Sequence, residues 1–176
     1  MSMKVSTNHP TMDHWFDGGY KIGEPYLFTV NETDILGCDQ VIWMLSKGRE
    51  SKVQVYEARY THLERLELAD FTSVIKDENP ELIIINIYCD DDETFDETFD
   101  SLTIRENMQA LSREYLIPVI IVVSSDDVPI RMIESMNHVA VVADSSISYY
   151  HSAVVRCAKN REKDLNVLNP FSFNFR

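Results

Sequence analysis

From Pro25 onward the chain alternates short apolar runs with stretches of helical period. Tyr26 to Val30 is apolar and β-prone and reads as a strand. Thr33 or Asp34 can cap a helix in which Ile35, Cys38, Val41, Ile42 and Leu45 recur at helical spacing, and Gly48 ends it. Lys52 to Ala58 alternates polar with apolar (Val53, Val55), the pattern of a half-exposed strand. Thr61 caps a helix through Leu63, Leu66, Val74 and Ile75, which stops before Asn79-Pro80 because the residue preceding a proline is pushed out of helical geometry. Leu82 to Ile87 and Ile117 to Val123 are unbroken apolar runs, as expected of strands covered on both faces. Between them lie an acidic loop and a helix with Ile104, Met108, Leu111 and Tyr115 on one face. Asp126 or Asp127 caps a short helix with Pro129 in its first turn and Ile130, Ile133 and Met136 inside. Val139 to Ala143 is a fifth strand. Ser145 or Ser146 caps a last helix bearing Ile147, Tyr150, Val154, Val155 and Ala158.

Strands alternating with helices, the middle strands wholly apolar, predict an α/β domain with a parallel sheet between helical layers. Five such units fit the flavodoxin-like, doubly wound order 2-1-3-4-5, whose ligands gather at the strand C-termini. The expected organisation is an N-terminal arm (1–24), this domain (25–163) and a C-terminal tail (164–176). The arm holds Gly18-Gly19 and an aromatic cluster of Trp15, Phe16 and Tyr20, and either docks on the domain or extends to a partner. In the tail, Phe171, Phe173 and Phe175 alternate as an extended strip, expected to dock on its own domain.

Composition narrows the function. The chain has 176 residues and a net charge of −13. That charge disfavours nucleic acid and anionic membranes, and no basic cluster offsets it. From Asp77 to Glu106 there are eleven acids and one base, Arg105, so most of the imbalance sits in that stretch. Its doublet Asp92-Glu93-Thr94-Phe95 and Asp96-Glu97-Thr98-Phe99 reads as a solvated surface. No apolar run approaches the length of a membrane span, and the first residues have no apolar leader. Cys38, Cys89 and Cys157 are odd in number and far apart, which predicts thiols in a reducing cytoplasm. Gly37 and Gly48 are isolated and the strand-to-helix turns lack glycine clusters, so no phosphate loop is legible and no cofactor is expected.

The ends of the strands carry the remaining signal. The first ends Thr29-Val30-Asn31-Glu32. The third is entered by Pro80-Glu81 and ends at Asn86-Ile87. The fourth is entered by Pro118 and ends at Ser124-Ser125. In these features and in element order, from about Pro25 to Lys163, the chain resembles the receiver domain of bacterial response regulators. A receiver carries an acidic pair, a phosphate-accepting Asp, a hydroxyl and a Lys. Here the resemblance puts Asn31 and Glu32, Asn86, Ser124, and Ala143 or Asp144 at those positions. An amide at the acceptor position is no useful nucleophile and a poor Mg²⁺ ligand. The resemblance therefore implies an atypical receiver, a pseudo-receiver with a degenerate phosphorylation pocket. Such a module is not an enzyme. It serves signal transduction or transcription regulation through protein–protein contact and acts as a homodimer in the cytoplasm.

In receivers the dimer face is made by the fourth helix, fifth strand and fifth helix, which here implies Met132, Met136, Tyr149 and His151. Three alternatives stay open, one of them acidic mimicry, in which the Asp90 to Asp100 loop occupies a basic nucleic-acid groove on a partner. Glu32 with Asp90 and Asp92 matches the layout of Toprim-type Mg²⁺-dependent phosphodiester enzymes, although Thr33 replaces the usual glycine. A small-molecule sensor would use the same crevice at the strand C-termini.

Overall fold

The computed structural model describes residues 3–59, 75, 79–88 and 101–175. Among the described residues seven strands form one sheet in the order β4-β5-β6-β3-β7-β8-β9. They are β3 (Pro25–Asn31), β4 (Val53–Ala58), β5 (Leu82–Ile87), β6 (Val119–Ser124), β7 (His138–Asp144), β8 (Ser152–Asn160) and β9 (Phe171–Asn174). Strands β3 to β7 run parallel, and β8 and β9 extend the sheet antiparallel beyond β7. A separate two-stranded ribbon pairs β1 (Lys4–Val5) with β2 (Tyr20–Lys21). Among the described residues the α-helices longer than one residue are α1 (Pro10–Trp15), α2 (Cys38–Ser46), α3 (Ser101–Tyr115) and α4 (Ile130–Ser135).

The five expected strands are all present, but their neighbours differ from expectation. In chain order the parallel strands lie 2-3-4-1-5, not 2-1-3-4-5, and the sheet is mixed. The apolar runs of β3, β5 and β6 satisfy either order, because each only requires burial on both faces. Burial alternates between two cores. Tyr26, Phe28 and Val30 of β3 pack with α1 and α2, whereas Leu27 packs with α3 and α4.

The expected last helix is a hairpin and a strand. In β8 the buried residues are Ala153, Val155 and Cys157, at a spacing of two that covers the α1–α2 core. The branched pair Val154-Val155 suits a strand better than a helix. Helix α2 starts later than its pattern suggests, at Cys38 behind Gly37, so Ile35 and Leu36 lie in the preceding loop. The expected helix from Thr61 lies outside the described residues except for Ile75, which is buried. Cys89 and the acidic loop lie outside them too. Among the described residues no helix is long and apolar enough to cross a membrane.

The arm docks. Met12, Trp15, Phe16 and Tyr20 are buried in the α1–α2 core. The tail docks as well: β9 pairs with β8, and Phe171 lies 5.6 Å, centroid to centroid, from Trp15.

One buried contact at the start of the sheet is acid-sensitive. The His138 ring stacks on Tyr26, and its Nε2 stands 3.0 Å from Glu24 Oε2. That hydrogen bond holds the Glu24 carboxyl below the usual carboxylate range. A depressed folded pKa contributes stability above the unfolded value. The contribution is lost as pH falls through the folded value. Melting temperature measured down the acid range is expected to fall less steeply for Glu24→Gln than for the parent chain. Equal slopes would mean that the pair contributes nothing.

Candidate functional site

Chain order fixes where a site can form. The connection leaving β3 runs to the far edge strand β4, and the one leaving β6 crosses over β3 to β7. The two depart in opposite directions, so the ends of β3 and β6 flank the topological switch point. A crevice of about 270 Å³ lies there, lined by Glu32, Gly37, Cys38, Asp39, Gln40, Asn86, Ile87, Tyr88, Ser124 and Asp127.

The fold brings together three of the pocket residues expected from sequence, Glu32, Asn86 and Ser124. The buried Ser124 hydroxyl accepts from Asp126 N and caps the turn after β6. Asn31 is exposed and does not line the crevice. Asp144 stands off the crevice, where its Oδ2 accepts the Thr33 hydroxyl at 2.7 Å. Asp90 and Asp92 lie outside the described residues. Among the described residues no group of three or more His, Cys, Asp or Glu could hold a metal. Of the expected dimer face, Met132 and Met136 are fully buried under α3, Tyr149 is exposed and His151 is half-buried. The methionine spacing marked a core-facing helix and not a surface.

The loop between β3 and α2 is closed on itself. Thr33 N donates to Leu36 O at 2.9 Å. The Thr33 hydroxyl accepts from Ile35 N at 3.2 Å and Leu36 N at 3.0 Å. Gly37 N, at the N-terminus of α2, donates to Gln40 Oε1 at 2.8 Å. The Glu32 carboxylate also lies over this turn, with Oε2 3.3 Å from where a Cβ on Gly37 would stand. A thiol at a helix N-terminus ordinarily becomes more acidic. Cys38 is instead pushed up to about 12, first by burial and then by the charges of Glu32, Asp39 and Asp127. The crevice is an anionic environment.

A second concavity, about 720 Å³, opens on the outer side of α2. Asp39, Gln40 and Trp43 face Tyr149, Tyr150 and His151 of the β7–β8 hairpin across it, with Asn174 and Phe175 at its end. The helical spacing of Ile147, Tyr150 and Val154 hides this hairpin, and with it the concavity, in the sequence. The Ser145-Ser146 pair followed by a Tyr-Tyr-His turn was the available signal.

No family model matches the chain, and no curated protein matches it. Solved structures do. A RadB recombinase superposes with a TM-score of 0.62 at 13% identity, over 98% of this chain and 95% of that one. A KaiC-like protein of the hyperthermophilic archaeon Pyrococcus horikoshii gives 0.53 at 16% identity, over 100% and 95%. These likenesses show the fold of RecA/RadA-like P-loop ATPases. They overturn the receiver resemblance and the flavodoxin-like class, and with them the signalling, response-regulator and Toprim readings. The expectation of a chain outside the enzymes loses its support together with the receiver resemblance on which it rested.

The fold implies a nucleoside triphosphate with Mg²⁺ at the loop after the first wound strand, so the residues there can be tested for fit. In G-x-x-x-x-G-K-[ST] the backbone amides cradle phosphates, the Lys reaches the terminal phosphates and the hydroxyl holds Mg²⁺. Glu32 and Gly37 keep the spacing of the two glycines. Cys38 then stands at the Lys position and Asp39 at the hydroxyl position. The amides of Thr33, Ile35, Leu36 and Gly37 are already bonded within the chain. Asn86 presents an amide to the crevice, where a carboxylate would be the better Mg²⁺ ligand. These residues do not fit a triphosphate. The chain has the fold of these two proteins, and its loop after β3 has the length of a phosphate loop and lacks the phosphate-binding groups.

Proposed function

We propose that this protein is a RecA-like subunit that acts by assembling with a second copy of itself, through the face made by the β7–β8 hairpin and the outer side of α2. The observation that carries this reading is the hairpin tip. Ile147, Tyr149 and Tyr150 are 74%, 97% and 78% exposed, and Trp43 beside them on α2 is 49% exposed. Large side chains this open, grouped on one face, are characteristic of contact surfaces. The tip is also held in one shape, which lowers the ordering cost of docking. Ile147 and Tyr150 exchange backbone hydrogen bonds of 3.0 and 2.9 Å. Ser152 is tied to Ser145 and Ser146 through their hydroxyls. In this reading the protein works in the cytoplasm, and the unpaired thiols of Cys38 and Cys157 support that.

Each copy carries −13, so association has to overcome like-charge repulsion. Sedimentation velocity over a concentration series is expected to show a dimer that strengthens as salt is raised, because salt screens the repulsion and leaves aromatic burial intact. Tyr149→Ser with Tyr150→Ser is expected to weaken the dimer about tenfold or more. Because both positions are exposed, stability should change by no more than about 0.5 kcal/mol. A chain that stays monomeric at every salt and concentration would refute the reading.

A further inference from the structure

We propose that the β3–α2 loop is a sealed clasp: the Thr33 hydroxyl occupies the role that a phosphate oxygen plays in a phosphate loop, and the sealed loop fastens the β7–β8 hairpin through Asp144 while leaving no place for nucleotide phosphate. A threonine hydroxyl has one donor and two acceptor sites. Thr33 uses all three. It accepts from Ile35 N and Leu36 N, and it donates to Asp144 Oδ2 at 2.7 Å. Those two amides are of the kind that would otherwise point at an anion. The next, Gly37 N, is taken by Gln40 Oε1, and the Thr33 amide by Leu36 O.

The same network reaches the hairpin. Asp144 ends β7, and its second oxygen, Oδ1, accepts from Ser146 N at 2.7 Å. One carboxylate thus joins the loop after β3 to the first residues of the hairpin. The Asp144 carboxyl is held below the usual range by its bonds to Ser146 and Thr33, so it is ionised and a full acceptor at neutral pH. A phosphate entering the loop would have to displace the Thr33 hydroxyl from two amides. It would also release Asp144 from Thr33 and enter a space already negative from Glu32, Asp39 and Asp127. No lysine stands in the loop to offset any of these costs.

The inference concerns the loop alone and does not depend on self-association. Backbone amide NMR of the full chain provides the test, with MgATP, MgADP and inorganic phosphate each titrated to about 10 mM, a range that reaches millimolar Kd. The amides of Ile35, Leu36 and Gly37 are expected to stay in place with all three. A saturable shift at these amides with any of them would overturn the proposal. A second arm reads the clasp directly. Thr33→Val keeps the branched shape and removes the hydroxyl. Hydrogen exchange at Ile35 and Leu36 should accelerate about tenfold or more, and the Ser146 amide should move. Thr33→Ser keeps the hydroxyl and is expected to retain both protection and the Ser146 position, which separates the bond from general loosening. Unchanged exchange in Thr33→Val, or equal acceleration in both variants, would overturn the clasp.

Discussion

Trp15→Ala is expected to destabilise the protein by about 4 kcal/mol, the range for removing a large buried aromatic. In a chain of this length that lowers the melting temperature by roughly 12 °C. The size follows from position. Trp15 ends α1 and is 1% exposed. Its ring meets Phe16 edge-on and lies tilted against Phe171 of the last strand. Its Nε1–H donates to Asn169 O at 2.9 Å, just ahead of that strand. Asn160, at the end of β8, donates back to Trp15 O. The side chain therefore fixes the tail to the arm, while the backbone carbonyl of the same residue holds the end of β8 and is kept in the variant. Trp15→Phe keeps most of the apolar contact and loses the donor to a carbonyl at an exposed residue. It should cost no more than about 1.5 kcal/mol. Thermal unfolding of the two variants checks the difference. A loss under about 1 kcal/mol in Trp15→Ala would show that the arm and tail are held independently of this ring.

The arm illustrates what the sequence does and does not carry. The aromatic cluster of Trp15, Phe16 and Tyr20 announces burial, but its period does not say against what. The partner is formed by Tyr26 and Phe28 from β3 together with residues of β8 and the tail, far away in sequence. Strand identity is legible from the apolar runs because burial on both faces leaves a residue-level mark. Strand order leaves none: β5 and β6 look the same beside β3 or beside each other. The receiver resemblance arose there, since a proline-initiated apolar run ending in a hydroxyl suits any wound sheet. The crevice was legible in part. Glu32, Asn86 and Ser124 were found because side chains at the ends of parallel strands converge in either strand order. Thr33 was read as a helix cap, and it does bond backbone amides three residues or fewer ahead. Its connection to Asp144 spans 111 residues and needs β3 and β7 to be neighbours. Glu32 to Asp39 is not legible as a phosphate-loop length, because that loop is recognised by its glycines and lysine and only Gly37 remains.

Gly19→Ala is expected to cost about 3 kcal/mol, and the reason is a backbone that leaves no space. Gly19 precedes β2 with φ 141°, a conformation that L-residues rarely adopt. A Cβ there would stand 2.2 Å from Val5 O and 2.6 Å from Val5 C. Both are main-chain atoms of β1, the strand that pairs with β2 through Val5 and Tyr20. A flexible side chain could swing away from an added methyl group, but a paired strand cannot do so without giving up its ladder. The strain of the positive φ adds to the clash. Gly18, one residue earlier, separates the two terms. Its φ is 108°, but a Cβ there would meet only Lys4 Cδ, at 3.8 Å. Gly18→Ala should therefore cost only the conformational part, about 1 kcal/mol. Denaturant unfolding of the pair measures the difference, about 2 kcal/mol if contact with β1 is the larger cause. Equal losses would mean that backbone conformation alone accounts for both glycines and that β1 yields freely. The ribbon would then be a loose appendage, and Tyr20, fully buried immediately after Gly19, would owe its place to the aromatic core with Phe16 and Tyr26 rather than to strand pairing.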